Sequence, residues 1–187
     1  MAVKKLTNSS LLLYGKNIVV SGAASLYAES IIMALAAEGG NLILLDKENI
    51  IIKDLAIQIN KKYGLTALTM PLDLSYDRDK PYQNIGQNLI ANDIKSIDGF
   101  ISLGSYEGVP SNTLSFPTPL WKNTMQLNLD GIFILVKNLL PFLLSSKNPN
   151  IVFSLLDEEQ IIHGNNIANG VASHALEGFT KILASEM

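Results

Sequence analysis

The chain has 187 residues, enough for one domain with a sizeable core, and its 48% hydrophobic and 17% charged residues exclude a disordered protein. A net charge of -3 without a basic patch argues against a nucleic-acid partner. Because the chain has no cysteine, disulfides and thiolate chemistry are excluded, and its two histidines, His163 and His174, cannot alone form a conventional zinc site. We therefore expect no metal.

No segment predicts export or insertion into a membrane. The N-terminal apolar run Leu11–Leu13 is too short for the core of a signal peptide. The longest apolar stretch, Leu129–Leu144, is interrupted by Asp130 and Pro141 among others, and falls short of the roughly 20 apolar residues that span a bilayer. We expect a cytoplasmic protein with no membrane partner.

Short apolar runs alternate with helix-like segments along the first half of the chain. Glycines close the first two helices, at Gly39-Gly40 and at Gly64, as expected for helix C-termini. The predicted elements, in order, are strand Asn17–Val20, helix Leu26–Glu38, strand Asn41–Leu45, helix Ile50–Lys62, strand Thr66–Leu72 and helix Tyr82–Asn92.

The second half continues the same alternation. It predicts strand Gly99–Leu103, a loop over 108–119, a long apolar helix Leu120–Ser145 bent near Pro141, strand Ile151–Ser154 and a helix from Ala168 to Met187. Strands that alternate with helices at this spacing indicate right-handed βαβ units and a parallel sheet. The prediction is one α/β domain over 1–187, a three-layer Rossmann fold with at least five parallel strands.

Candidate site residues follow the first three predicted strands. Gly22 lies where a phosphate-binding turn would sit, and Asp46 where a carboxylate would hold an adenosine ribose. Asp73-Leu74 ends the third strand and could contact adenine. Each has an alternative: Gly22 a tight turn, Asp46 a solvated strand end, and Asp73 a cap of the next segment. A bound dinucleotide would be NAD(H), since Asp46 would repel the 2′-phosphate of NADP(H).

These positions and several longer blocks together resemble the short-chain dehydrogenase/reductase family, in particular its 3-oxoacyl-carrier-protein-reductase-like members. The resemblance covers Gly15–Met187 and implies a Rossmann fold and hydride transfer between a nicotinamide and a carbonyl or alcohol. It implies a tyrosine acid/base, a lysine four residues later, a serine and an asparagine. The matching blocks are Gly15–Gly22, Asp46, Asp73-Leu74, Asp98–Phe100, Trp121–Pro141 and Ala175–Thr180.

Of the four catalytic positions that the resemblance implies, only Asn128 matches. Asn169 stands at the tyrosine position, Ser173 at the lysine position and Leu156 at the serine position. An amide cannot donate a proton as a phenol does, and a serine supplies no cation. The resemblance therefore predicts a degenerate active site. Asn128 has two alternatives: it is the one surviving catalytic position, or its side chain only hydrogen-bonds backbone within its helix, which the missing tyrosine favours.

The glycine-rich turn of the family also departs from its pattern. Its second and third glycines correspond to Leu26 and Ala28, and a leucine side chain would obstruct the approach of a pyrophosphate. Glu29 in the first turn of the helix would repel the same group. We expect binding of NAD to be weak or lost. Tyr14 and Tyr27 are expected to be packing residues, and neither histidine is expected to act as a base.

The resemblance further implies that the chain lacks the last two strands of the family, and so its substrate loop. It also implies a homo-oligomer formed through the helices after strands four and five. The apolar run Ile132–Leu140 fits that interface, or ordinary packing on the sheet. Three hypotheses follow: a non-catalytic, regulatory or binding homologue, an NAD(P)-dependent oxidoreductase with a remodelled site for a small molecule or nucleotide, or a subunit that associates with an active homologue.

Overall fold

The computed structural model describes residues 11–104, 110–156, 159, 161 and 167–187. Within them, five parallel strands form one sheet in the order β3–β2–β1–β4–β5, so the predicted parallel α/β fold is confirmed. The expectation that His163 does not act as a base concerns a residue outside these described ranges. The strands are β1 Asn17–Ser21, β2 Asn41–Asp46, β3 Leu68–Pro71, β4 Gly99–Ser102 and β5 Asn150–Phe153.

Helices cover the two faces of the sheet and create two separate apolar cores. On one face Ile18 and Val20 of β1 pack with helices α1 and α2; on the other, Val19 and Phe100 pack with α3, α5 and α6. Successive side chains of a strand point to opposite faces, so one apolar strand serves both cores. The helices are α1 Ala28–Ala37, α2 Asn49–Tyr63, α3 Asp79–Ala91, α4 Thr118–Met125, α5 Gly131–Leu143 and α6 Ile167–Glu186.

The long predicted helix is interrupted at a different place from the one expected. Five π-helical residues, Gln126–Asp130, join α4 to α5, whereas α5 continues through Pro141. Just after the π segment, a Cβ added to Gly131 would lie 2.5 Å from the carbonyl oxygen of Leu74. The glycine lets the helix approach the end of β3. Such π turns are frequent at functional sites because they re-aim individual side chains.

The helical run Thr118–Leu143 is long and apolar enough, by length and composition, to cross a membrane. Several of its apolar side chains, however, are buried within the protein. Ile132, Leu135 and Leu139 are fully buried against the sheet in the core that α3 and α6 share. This is the pattern of a core helix.

At the amino-terminal edge of the sheet, Asp98 joins three segments of chain. Its carboxylate accepts hydrogen bonds from the Lys16 ammonium (3.0 Å), the Asn17 N–H (3.0 Å) and the Ser146 hydroxyl (2.9 Å). Burial raises the pKa of Asp98, but the hydrogen bonds from Asn17, Lys16 and Ser146 and the Lys16 charge outweigh it, so the pKa lies below its ordinary value. The carboxylate is therefore favoured in the folded state.

We expect Asp98→Asn to lower the free energy of unfolding by about 1–3 kcal/mol near neutral pH, the range for hydrogen bonds to a charged group. A lowered carboxyl pKa stabilises the fold above the unfolded pKa of about 4, and that stabilisation disappears as pH falls through the folded pKa. Urea unfolding at several pH values should show the deficit shrink in acid. The exposed Asp77 gives the control Asp77→Asn, which should leave stability unchanged. An equal deficit at every pH would contradict the assignment.

Candidate functional site

A cleft of about 180 Å³ lies at the carboxyl ends of β1, β2 and β3. In open parallel sheets, ligands bind at this edge, where the strand order reverses. Here the order reverses between β1 and β4, and Gly104, which follows β4, also lines the cleft. All five predicted site residues line the cleft: Gly22, Asp46, Asp73, Leu74 and Asn128. The fold thus brings them together, while their roles stay predictions.

Gly22 is required by the backbone around it. Its φ is +69°, and a Cβ at this position would lie 2.1 Å from the backbone nitrogen of Gly104. The chain leaving β4 therefore crosses directly over the turn after β1. A residue with a side chain would be strained at this φ angle, and its Cβ would collide with Gly104. The fold alone therefore requires a glycine here, without reference to any ligand.

Four backbone N–H groups of the turn between β1 and α1 are already hydrogen-bonded, two of them to residues of β2. A phosphate-binding turn needs such N–H groups directed at its ligand. Helix α1 begins at Ala28, two residues later than predicted, because the chain first forms this hydrogen-bonded turn. Four paired N–H groups are those of Ala23 to Leu45 O (3.2 Å), Ala24 to Asp46 Oδ2 (3.0 Å), Ser25 to Gly22 O (3.0 Å) and Ala28 to Ser25 O (3.0 Å).

Two large side chains project from the same turn. Leu26 is 85% exposed and Tyr27 is 74% exposed, so the expectation that Tyr27 is a packing residue was wrong. The buried residue of this segment is Ala28, which faces the α1–α2 core. With Ala28 turned inward, its two predecessors point outward.

The two aspartates of the cleft hold backbone. Asp46 accepts the Ala24 N–H through Oδ2 and the Glu48 N–H through Oδ1, both at 3.0 Å, so it is more than a solvated strand end. Asp73 Oδ1 accepts the Ser75 N–H at 2.9 Å, the capping role that was one of its two alternatives. Each carboxylate keeps further lone pairs for other donors.

Hydrogen bonds from Tyr82 hold the loop that carries Leu74. The buried hydroxyl of Tyr82 donates to the carbonyl oxygens of Leu74 (3.1 Å) and Tyr76 (3.0 Å). Burial, followed by the charges of Asp73 and Asp130, raises the pKa of Tyr82 to about 12. The phenol thus remains a donor throughout the usual pH range, which makes this wall of the cleft a fixed one.

A second cavity of about 230 Å³ adjoins the first, and the two share Gly104 and Asn128. In it the side-chain amide of Asn128 donates a hydrogen bond to Asn169 Oδ1, both residues being buried. The expectation that Asn128 bonds only backbone was wrong, because the π segment turns its side chain towards α6. The Leu156 N–H donates to the Ser173 hydroxyl at 3.3 Å.

The four positions that the resemblance assigned to catalysis therefore all line this cavity: Asn128, Leu156, Asn169 and Ser173. None of the described lining residues carries an ionisable acid or base other than the phenol of Tyr27. His174, one residue past Ser173, lies outside the lining and faces Glu177 on the surface at 3.8 Å. The lining residues are Tyr27, Leu103, Gly104, Asn128, Ile132, Ser154, Leu155, Leu156, Asn169, Ala172, Ser173 and Leu176.

Metal ligands are not grouped in the part of the chain that the structure describes. No three histidine, aspartate or glutamate side chains there are arranged to hold a cation. The cleft's own carboxylates, Asp46 and Asp73, lie on separate strand ends and are bound to backbone N–H groups. The described lining of the first cavity offers two carboxylates and the ammonium of Lys47, and that of the second offers amides, hydroxyls and the phenol of Tyr27.

The sequence model of the short chain dehydrogenase family matches residues 16–187. The chain belongs to this family. It is 27% identical over 175 residues to the uncharacterized oxidoreductase YciK of Escherichia coli, covering 94% of this chain and 69% of that protein. It is also 28% identical over 130 residues to a very-long-chain 3-oxoacyl-CoA reductase of Pyricularia oryzae, covering 67% of this chain and 39% of the relative.

Solved structures of family members agree with the fold. The E. coli YciK structure superposes with a TM-score of 0.88 at 27% identity, covering 94% of this chain and 72% of that one. A short-chain dehydrogenase of Shigella flexneri complexed with NADP gives the same TM-score and identity, covering 94% and 73%. A third, from E. coli CFT073, is complexed with NADPH, again with a TM-score of 0.88 at 27% identity, covering 94% and 73%.

Two features of the site were not found from the sequence. The contact of Gly22 with Gly104 joins residues 82 positions apart, and no local pattern signals it. Tyr27 lines the second cavity, although it precedes Asn128 by 101 positions and Asn169 by 142. A signal for Tyr27 was nevertheless present, since it directly precedes Ala28 at the last glycine position of the family turn.

Proposed function

We propose that this member of the short-chain dehydrogenase family does not catalyse hydride transfer and serves instead as a binding or regulatory protein. The observation that carries the proposal is the buried amide pair of Asn128 and Asn169 in a cavity whose described lining has no carboxylate, imidazole or ammonium group. Reduction of a carbonyl by hydride leaves an alkoxide that must receive a proton. An amide does not supply one, and a serine hydroxyl needs a neighbouring base to exchange its own.

The cofactor turn supports the same proposal. Its N–H groups at Ala23 and Ala24 are already paired, and Leu26 projects where the family has a glycine. The NADP and NADPH complexes of relatives support a nicotinamide nucleotide as the ligand from which this cleft derives. We propose that the affinity for it is weak or lost here. We propose that any residual binding favours NAD(H), because a carboxylate after the second strand would repel a 2′-phosphate.

A turnover assay tests the proposal. The purified protein is incubated with NADPH or NADH and a panel of ketones, aldehydes and 3-oxoacyl thioesters, and nicotinamide absorbance is followed. We expect no consumption above that of buffer. Consumption by the wild type that disappears in Asn128→Ala would refute the proposal. Consumption that persists unchanged both in that variant and in Tyr27→Phe would indicate a contaminating enzyme and leave the expected result standing.

One observation favours a second candidate, an oxidoreductase with a remodelled site. Tyr27 brings a phenol to the amide cavity from the β1–α1 turn. If the assay detects turnover, Tyr27→Phe, which removes only the hydroxyl, should abolish it. Tyr14→Phe is the matched control, since Tyr14 is also exposed and lies outside this cavity. A general acid contributes about 10²–10⁴-fold to a rate, so the loss would be unmistakable.

We further propose that the chain self-associates through α5 and α6. Phe133 on α5 is 49% exposed and its ring lies 5.8 Å from that of Phe179 on α6. Ile182, one helical turn beyond Phe179, is 56% exposed. The rest of the α5 run, including Leu135 and Leu139, is used in the core. Exposed apolar side chains on adjacent helices favour a protein contact.

We expect the double variant Phe133→Asp and Ile182→Asp to convert a dimer to a monomer in size-exclusion chromatography with light scattering. Two carboxylates in the contact would lose their hydration without partners. The matched control is Ile57→Asp on α2, where an equally apolar residue is 65% exposed on the other side of the sheet. A monomeric wild type, or dissociation by the control as well, would contradict this interface.

A further inference from the structure

We propose that a separate ligand site lies at the amino-terminal edge of the sheet and takes an uncharged aliphatic molecule with a terminal oxygen, a medium-chain alcohol being the simplest class. The site is a cavity of about 280 Å³ between β1, β4, β5, α1 and the segment that precedes β1. None of its described lining residues also lines either cavity at the carboxyl edge. The site therefore goes beyond the proposed function and does not depend on it.

The walls of the cavity are aliphatic. Ile101 of β4 pairs with Val152 of β5, on the strand face whose Ile18 packs with α1. Val152 is nevertheless 53% exposed, so this part of the face is open to a ligand. The described lining has no aromatic side chain on which a flat ring could stack, which favours an alkyl chain. The aliphatic lining residues are Leu12, Leu13, Ile18, Leu35, Ile101 and Val152.

Hydrogen bonds hold the wall formed by the segment before β1. The Leu12 N–H donates to Glu38 Oε2 (3.2 Å) and the Leu13 N–H to the Glu38 carbonyl oxygen (2.9 Å). The Lys16 carbonyl oxygen accepts the Asn41 N–H at 2.8 Å. The segment is thereby tied to the end of α1 and the start of β2. The cavity is thus enclosed by parts of the fold that are bonded to one another.

The volume indicates a small ligand. A cavity of about 150 Å³ with apolar walls accepts a benzene ring. Pockets for drug-sized molecules begin at about 300 Å³. At about 280 Å³, this cavity has room for more than one small ring and lies just below the drug-sized range. A medium-chain aliphatic molecule falls within these limits.

One end of the cavity is polar and rich in hydrogen-bond donors. The Lys16 ammonium has three N–H donors, of which Asp98 accepts one at 3.0 Å. The side-chain amide of Asn148 has no hydrogen bond in the part of the chain that the structure describes. Asn150 Nδ2 donates one of its two hydrogens to the Asn148 carbonyl oxygen at 3.1 Å. Donors remain at this end, so the head group of the ligand should be an acceptor.

The two charges at the polar end offset each other. Lys16 and Asp98 form an ion pair at 3.0 Å and are the charged residues of the described lining. An anionic head group would meet Asp98 as well as Lys16, and a cationic one would meet Lys16 as well as Asp98. The loss of hydration of either ion would not be offset by a net attraction. A hydroxyl or carbonyl oxygen accepts the free donors without this cost.

Calorimetric titration of the full chain with octanol, octanoate and octylammonium at constant salt and neutral pH tests the inference. The three compounds share one alkyl chain and differ in the charge of the head group. We expect saturable binding of octanol that is tighter than that of either ion by at least about tenfold. Equal or tighter binding of an ion would overturn the inference. Absence of saturable octanol binding at millimolar concentration would overturn it as well.

Lys16→Met keeps an unbranched side chain and removes the ammonium, which leaves the Asp98 charge in the lining without its cation. We expect the affinity for octylammonium to rise by at least about tenfold and that for octanol to fall. The matched control is Lys95→Met, since Lys95 pairs with Asp93 at 3.2 Å and lies outside the lining. An unspecific apolar surface would keep the wild-type order of the three ligands in both variants, which would overturn the inference.

Val152→Thr tests the apolar wall with a side chain of the same shape. Both residues favour strands, so the fold should persist. We expect octanol to bind at least about threefold more weakly, because a hydroxyl replaces a methyl group beside the alkyl chain. The control is Val171→Thr on α6, where the valine is 44% exposed and lies outside the lining. Octanol affinity that is unchanged by Val152→Thr, or is lowered equally by the control, would place the ligand elsewhere and overturn the inference.

Discussion

Gly22→Ala is expected to lower the free energy of unfolding by roughly 2–5 kcal/mol, measured by urea denaturation. A left-handed backbone costs a residue with a Cβ roughly 1–2 kcal/mol, and inserting a methyl group into a filled contact typically costs a further 1–3 kcal/mol. Both apply here, since φ is +69° and the added Cβ would lie 2.1 Å from the Gly104 nitrogen. Because the neighbour is backbone, the strand end itself must shift.

Gly64→Ala is the matched control for that experiment. Gly64 has φ +71°, almost the same as Gly22, but a Cβ there would meet no atom within 4 Å. We expect Gly64→Ala to lower the free energy of unfolding by only about 1–2 kcal/mol, because the left-handed backbone is the one feature that disfavours a Cβ there. Equal losses in the two variants would contradict the close crossing of the β4 exit over the turn. A clearly larger loss for Gly22 would explain this glycine by the fold alone.

Opening the turn should restore affinity for a dinucleotide. In the double variant Leu26→Gly and Ala28→Gly, the exposed leucine is removed and the turn regains the flexibility to direct N–H groups outward. We expect NADH and NADPH each to bind at least about tenfold more tightly than to the wild type, a gain of about 1.4 kcal/mol or more. Fluorescence titration of the nicotinamide measures this change.

The control for the turn is Ala34→Gly, at an exposed position in the middle of α1. It weakens the helix by about 1 kcal/mol without touching the turn. Its NADPH affinity should equal that of the wild type. If the double variant gains no affinity, or the control gains as much, the side chains at Leu26 and Ala28 are not what excludes the nucleotide.

The order of the elements and the class of fold could be predicted because each strand is a short apolar run bounded by glycine or polar residues. Boundaries were less accurate where tertiary contacts decide them. Helix α1 starts at Ala28, since the preceding turn pairs its N–H groups with β2, a partner that a local pattern does not reveal. The interruption at Gln126–Asp130 accompanies the close approach of Gly131 to Leu74, again a contact distant in sequence.

The sequence predicted which residues lie at the site, but not all of the hydrogen bonds that they form there. Gly22, Asp46 and Asp73 could be placed at one edge because the carboxyl ends of parallel strands meet there, and they line one cleft. The bond between Asn128 and Asn169 depends on the rotation that the π segment gives to one side chain. Helical periodicity at 3.6 residues per turn predicts a different direction for it.

Titration of the wild-type protein with NADPH and NADH is the most direct test of whether the turn between β1 and α1 excludes a nicotinamide nucleotide. We expect no saturable binding of either nucleotide below about 1 mM, equivalent to about 4 kcal/mol of binding free energy. Paired turn donors and the exposed Leu26 are the reasons. Micromolar affinity for either nucleotide would contradict this prediction, and would mean that the turn does not exclude a dinucleotide such as those bound in the NADP and NADPH complexes of its relatives.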